Sequence, residues 1–327
     1  MDDATGSLPK SAETRETETE LPSQPGEVTC ILNGAAGSNR AIKTKERLAE
    51  LFSGHGAKAS ILLARNGREL TVLARRAVED RCDTVVAAGG DGTVSAVAGA
   101  LAGTGIPMGV LPLGTLNHFA KDLNLPLELE TAVATIMTGR TVHIDVGEVN
   151  GHVFLNNSSI GIYPWIVRER ETEQRKGYRK WVAFARASAS VLKRYSLLHV
   201  RLRTEGRDEA EVLTPFVFVG NNRYESQGFN IGQRSALDAG QLWVCRAPPA
   251  SRSRLLVLAI KHVFGSARVS DLEIFDAHDI SVRTRASRLA VAIDGEVILL
   301  EPPLHYRIQP GALKVIVPPK TGLAGCQ

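Results

Sequence analysis

Between an apolar run that ends at Ala88 and an alanine-rich run that starts at Val94, the chain places Gly89, Gly90, Asp91, Gly92 and Thr93. Glycine permits positive φ and lets a ligand approach the main chain, because no Cβ stands in the way. A strand-to-helix corner also presents N–H groups at the positive end of a helix dipole, and these attract phosphate. The pattern therefore suits a polyphosphate. Asp91 would repel phosphate itself, so its chemistry is to hold a Mg²⁺ bridging phosphate oxygens or to bond a ribose or substrate hydroxyl. Thr93 can cap the helix or bond a phosphate. A plain Asp-Gly turn is the competing reading, and two glycines at the end of a buried strand favour the nucleotide. The chain has neither G-x-x-x-x-G-K-[ST] nor G-x-G-x-x-G at this corner, so it solves the electrostatic problem in another way.

The elements around the corner alternate. Strand patterns over Val28–Asn33, Ala57–Ala64, Asp83–Ala88 and Ile106–Gly114 are each followed by a helical pattern. The helices are expected over Ala41–His55, Gly67–Cys82, Val94–Leu101 and from Thr115 to just before Pro126. This order predicts a parallel sheet covered on both faces. Ligands of such sheets bind outside the carboxyl ends of the strands, where the loops Asn33–Asn39, Gly89–Thr93 and Gly114–Asn117 fall. After Thr141 the pattern alternates and turns at Asn150-Gly151, a hairpin signal. Most later segments read as antiparallel strands, with helices over Arg175–Tyr195 and Ser251–Val263. The expected fold is α/β. A doubly wound parallel-sheet nucleotide-binding domain spans residues 27–142, and a mainly antiparallel β domain spans 143–318. Polar tails cover 1–26 and 319–327, the first read as disordered. The final strand, Ala312–Pro318, could pack on either domain.

Bulk properties narrow the function. Of 327 residues, 43% are hydrophobic and 23% charged, enough for ordinary cores in two domains. A formal charge of +4 is too small to argue for nucleic acid and fits anionic ligands or an acidic membrane surface. Cys30, Cys82, Cys245 and Cys326 match no zinc or redox spacing. No apolar run approaches the roughly 20 residues that span a bilayer, and the N-terminal segment lacks the apolar centre of a signal peptide. These features point to a cytoplasmic protein.

"GGDGT" followed by "PLGTLNHFAKDL", "HIDVGEVNGHVFLNNSSIGI", "FVGNN", "ALDAGQL" and "IDGE" resembles the diacylglycerol kinase catalytic-domain family. That group includes soluble bacterial lipid kinases and is related to sphingosine kinases. The likeness runs from Val28 to about Pro318. GGDGT alone is shared with NAD kinases and phosphofructokinases; the set in this order is more specific. The resemblance implies an ATP- and Mg²⁺-dependent lipid kinase acting on diacylglycerol or a related lipid, within phospholipid metabolism. Its partners would be a lipid substrate at the inner membrane face and, as an open option, a second copy in a homodimer. An NAD kinase-like enzyme and a non-catalytic nucleotide- or lipid-binding regulator are the alternatives.

By resemblance, Gly89, Gly90, Asp91, Gly92 and Thr93 bind nucleotide phosphates and metal, and Gly114 and Thr115 form a second piece of the pocket. Asn117 either joins them or caps a helix. Asn33 matches the first family loop, where Ser38 replaces a lysine and Arg40 is the candidate to restore the charge. Asp294 matches the family's Asp-Gly-Glu and is implied as general base, which suits a weakly nucleophilic lipid hydroxyl; an Asp-Gly hairpin turn is the competing reading. Glu296 would hold metal or orient Asp294. Asp145 is implied in a charge network, with His118 as its direct partner or as a plain surface residue. Asp238 matches a structural Mg²⁺ site that has lost one ligand at Ala239. Asn221 and Asn222 contact substrate or are turn residues. The basic, aromatic stretch Arg175–Leu198 is either a membrane-docking helix or a surface helix with a solvated charged face.

Overall fold

A computed structural model describes residues 26–34, 38–162, 164, 197–205, 208–227, 230–234, 236–248 and 272–319. Both expected helices over Arg175–Tyr195 and Ser251–Val263 lie outside the described residues, as do the first-loop residues 35–37, the Ser38 side chain and the tails over 1–25 and 320–327.

The first half alternates as its sequence predicts. Its elements are β1 (Glu27–Asn33), α1 (Ser38–Gly54), β2 (Lys58–Ala64), α2 (Gly67–Glu79), β3 (Thr84–Gly89), α3 (Asp91–Leu101) and β4 (Met108–Pro112). The short α4 (His118–Asp122) and then α5 (Leu129–Thr138) follow. Strands β2-β1-β3-β4 are parallel neighbours. Side chains alternate across a strand, and the two cores obey this rule. Ile31, Val85 and Ala87 join α2 and α3 on one face, while Cys30, Leu32, Val86 and Ala88 join α1 and α5 on the other. The interval after α4 holds α5, which the sequence reading did not single out.

The second half is β-rich. It comprises β5 (Arg140–Val149), β6 (His152–Phe154), β7 (Asn157–Gly161), β8 (Leu198–Thr204), β9 (Ala210–Thr214) and β10 (Phe216–Asn221). It continues with β11 (Tyr224–Gln227), β12 (Asn230–Arg234), β13 (Leu242–Arg246), β14 (Glu273–Ala277), β15 (Asp279–Thr284), β16 (Leu289–Ile293), β17 (Glu296–Leu300) and β18 (Leu304–Val317). The expected turn at Asn150-Gly151 is made, with φ of 47° and 83°, the left-handed pair of a tight hairpin. An antiparallel sheet ordered β14-β13-β10-β7-β16-β17 faces the sheet that carries β18-β15-β8-β9. Val149, Phe154, Ile160, Val219, Val282 and Tyr306 are among the buried residues of the core between them.

The expected division at residue 142 is not a clean cut. Strand β5 crosses it, and β18 does not choose a domain. At one end β18 lies parallel to β4, and at the other it pairs with β15. Strand β5 runs antiparallel to it over nearly its full length. One sheet therefore passes through both halves. The β5–β18 register breaks between Gln309 and Leu313, opposite Asp145.

Gly147 on β5 has no room for a side chain, since a Cβ there would clash with the edge of the Phe154 ring. That ring is fully buried, edge-on to Tyr306 at 6.4 Å between centroids. Overpacking of a rigid core typically costs 1–3 kcal/mol. Gly147→Ala should lower stability by about 2 kcal/mol, read as a lower urea midpoint with an unchanged slope.

Candidate active site

Helix α3 begins at Asp91, earlier than its apolar pattern suggests, with Gly90 as N-cap. No glycine of the corner takes positive φ, so the corner uses the missing side chain rather than left-handed backbone. A Cβ on Gly89 would strike Thr93, and one on Gly114 would lie 2.5 Å from the Gly90 Cα. Gly90 and Gly114 thus let the β3 and β4 loops touch backbone to backbone. Gly92 opens towards the second half, where a Cβ would meet Glu296 Oε1 at 3.0 Å.

A cavity of about 430 Å³ lies between α2 and α3 on one side and the β5–β6 and β16–β17 turns on the other. Asn33, Gly90, Gly92 and Thr93 line it together with Asp294 and Glu296. The glycine corner and the Asp-Gly-Glu turn, 199 residues apart between Ser95 and Asp294, therefore share one space. Thr93 is buried and neither caps α3 nor stands free, because its hydroxyl accepts from Asn33 Nδ2 at 3.0 Å.

Asp294 is both a hairpin turn and a cavity residue. Asp294 and Gly295 take φ of 46° and 89°, which suits a two-residue turn between β16 and β17. The carboxylate receives four hydrogen bonds. Oδ1 accepts from the Asn156 and Asn157 amides at 2.8 and 3.0 Å. Oδ2 accepts from the Leu155 amide at 2.8 Å and from Ser95 Oγ on α3 at 2.7 Å. Burial pushes its pKa above the ordinary aspartate value, against the opposing pull of these hydrogen bonds.

Several expected residues sit elsewhere. Asp91 is not on the wall of this cavity; its Oδ1 faces the Phe119 amide at 3.4 Å, on the α4 side of the corner. Asn117 occupies the N-cap position of α4, but its side chain makes no capping bond: it accepts from the Gly114 amide and donates to the Pro112 and Gly114 carbonyls. It closes the β4 loop on itself, with Thr115 exposed at the tip. The Asp145–His118 pair is not made. Asp145 is 2% exposed and binds the Gly311 amide at 2.8 Å and the Gly240 amide at 2.6 Å, while His118 is exposed. The carboxylate thus fills the β18 irregularity and ties down the 237–240 loop. Asp238 on that loop is exposed, and among the described residues no three His, Cys, Asp or Glu side chains group as a metal site. Asn221 and Asn222 are buried rather than open to a substrate, and Asn221 donates to the Asp145 and Leu155 carbonyls. Arg40 is not on the cavity wall; Arg75 of α2 is, with His152.

The sequence reading missed the group that holds the 155–157 segment. Arg234 on β12 pairs with Asp122 of α4 at 2.7 Å, with side chains 0% and 8% exposed. The same guanidinium donates to the Leu155 and Asn221 carbonyls and to Asn156 Oδ1, and it lies 5.7 Å from the Tyr224 ring centre. Asp122 and Arg234 are 112 residues apart, and no local spacing connects them. Ser95 did carry a signal: it is one helical turn from Gly92 and so shares its face.

Residues 27–149 match the model of the diacylglycerol kinase catalytic domain, and 166–317 match that of the YegS C-terminal NAD kinase beta sandwich-like domain. A protein named probable lipid kinase YegS-like, from Pseudomonas aeruginosa PAO1, is 33% identical over 277 residues, covering 77% of this chain and 86% of its own. A diacylglycerol kinase of Mycobacterium tuberculosis H37Rv is 27% identical over 298 residues, covering 90% and 96%. A crystal structure of a diacylglycerol kinase from Bacillus anthracis str. Sterne superposes with a TM-score of 0.64 at 19% identity, covering 90% of this chain and 98% of that one.

Removing one partner of a buried ion pair leaves the other uncompensated, at a cost of roughly 3–5 kcal/mol. Asp122→Ala and Arg234→Ala should each lose stability on that order, measured by urea denaturation. Arg76→Ala, which breaks the exposed Arg76–Asp80 contact, should change it by less than about 1 kcal/mol.

Proposed function

The chain belongs to the diacylglycerol kinase family of lipid kinases, and from that premise we propose that it transfers the terminal phosphoryl group of ATP, with Mg²⁺, to the hydroxyl of diacylglycerol or a related lipid. The observation that carries this reading is the shared cavity of the glycine corner and the Asp294 carboxylate. Phosphoryl transfer needs a place for phosphate charge and, close by, a base for the acceptor proton. The positive end of α3 offers the first, and Arg75 of α2 adds a cation on the same side of the cavity.

Asp294 is the candidate base. Its raised pKa strengthens its grip on a proton, and its position within the cavity brings it to the acceptor. Mg²⁺ commonly takes one or two protein carboxylates and completes its shell with phosphate oxygens and water. Glu296, over Gly92, and Asp91, on the α4 side of the same corner, fit that role. The metal would neutralise charge on the transferring group. The acceptor is a membrane lipid, so contact with the inner membrane surface is part of the proposal. No helix among the described residues is long and apolar enough to cross a membrane.

Labelled-ATP transfer should appear with a lipid extract containing diacylglycerol and not with NAD. Nucleotide binding without transfer to any lipid would favour a regulator, and transfer to NAD would favour the other enzyme. Asp294→Asn should lower kcat by at least about 100-fold while leaving the ATP dissociation constant within a few-fold. An amide nitrogen there must face at least one main-chain N–H, so some stability is lost as well. The acidic limb of the kcat/KM profile should have its midpoint above the ordinary aspartate value of about 3.9. Stability has the matching sign. The folded state binds the Asp294 proton more tightly than the unfolded state does, so this residue's contribution falls as pH rises from the unfolded to the folded pKa.

A further inference from the structure

The four donors to Asp294 are not equivalent. An ionised carboxylate has about four lone-pair positions, and here each has a donor. Three donors are consecutive main-chain amides that cannot turn away. Their segment is fixed from behind: Arg234 binds the Leu155 carbonyl and the Asn156 side chain, Asn221 binds the Leu155 carbonyl, and the Tyr224 hydroxyl binds the Asn156 carbonyl at 2.9 Å. The fourth donor is a hydroxyl, which rotates freely and can accept as well as donate. Ser95 lines the cavity one helical turn beyond Gly92, between the glycine corner and the carboxylate. With every lone pair of Asp294 taken, Ser95 Oγ is the donor there that can exchange partners with an incoming hydroxyl.

From this geometry, and resting on the kinase reading above, we infer that Ser95 is a catalytic proton relay between the acceptor hydroxyl and Asp294. As the acceptor oxygen bonds to the γ-phosphorus, the bond from that phosphorus to the ADP oxygen breaks. The acceptor proton passes to Ser95 Oγ, and the proton of Ser95 passes to Asp294 Oδ2. Serine is regenerated in each turnover, and the carboxylic acid then releases its proton to water. The alternative is that Ser95 swings aside and the acceptor bonds Asp294 directly. The two routes differ in what happens when the hydroxyl is removed.

Single-turnover rates of lipid phosphorylation, in mixed micelles of diacylglycerol with saturating ATP and Mg²⁺, separate them. For Ser95→Ala the relay predicts a fall of about 100-fold, with the ATP dissociation constant within about threefold of wild type. Ser95→Thr keeps the hydroxyl and should retain a rate within about tenfold of wild type, well short of the roughly 100-fold at the small end of what a positioned proton-transfer group contributes. Rates in mixtures of H₂O and D₂O supply a readout that a purely structural serine would not move. Wild type should give a curved dependence on deuterium fraction, with two protons in flight, and Ser95→Ala a straight one. A Ser95→Ala rate equal to wild type, or a straight line for wild type, would overturn the relay. The wild-type measurement decides even if Ser95→Ala does not fold. If wild type binds ATP but phosphorylates no lipid, the kinase reading itself falls and takes the relay with it.

Discussion

A carboxylate drawn out of water must be satisfied by donors or it takes up a proton. Asp294 meets that constraint with groups from both halves of the chain. The amides of Leu155 and Asn156 come from the β6–β7 turn, that of Asn157 from the first residue of β7, and the Ser95 hydroxyl from α3. Neither half can present this carboxylate correctly alone. The candidate site is therefore a product of how the halves dock, and one of its hydrogen bonds, from Ser95 to Asp294, crosses between them.

Behind that clamp stands a buried polar scaffold. Arg234 joins Asp122 of the first half to the 155–156 carbonyl and side-chain groups, and Asn221 links the Leu155 and Asp145 carbonyls. Asp145 in turn holds the Gly311 and Gly240 amides. Charges in such positions add little net stability over well-packed apolar groups. Their consequence here is geometric, because each fixes one loop against another from a defined direction. Strands β5 and β18, which run through both halves as one sheet, supply the rigid frame on which those loops are hung.

Much of the fold was legible because its signals are local. Alternating strand and helix patterns announced the parallel sheet, and Asn150-Gly151 announced its hairpin through two residues that tolerate left-handed backbone. The glycine corner was legible too, although its reason differed. Gly89 is small because Thr93 packs on it, and Gly90 and Gly114 because two loops touch there. Resemblance put Asp145 in a charge network and left His118 as its direct partner or a surface residue; the structure gives Asp145 main-chain amides as partners. Amides carry no residue identity, so sequence could not name them. Asp122 and Arg234 went unnoticed for the same reason in reverse: each is an ordinary charged residue until a fold brings it to the other.

The sequence alone determined most of the strands and helices of the first half, where the corner glycines and the Asp-Gly turn fall, and which family's motifs stand in order. Periodicity and turn chemistry act over a few residues, and a string of letters preserves them. The tertiary structure decided that Asp294 shares a cavity with Gly92, that a serine fills its last lone pair, and that the final strand joins both halves. Those outcomes depend on contacts between residues as far apart as Ser95 and Asp294. They are set by the packing of whole sheets and helices, which no neighbourhood along the chain encodes.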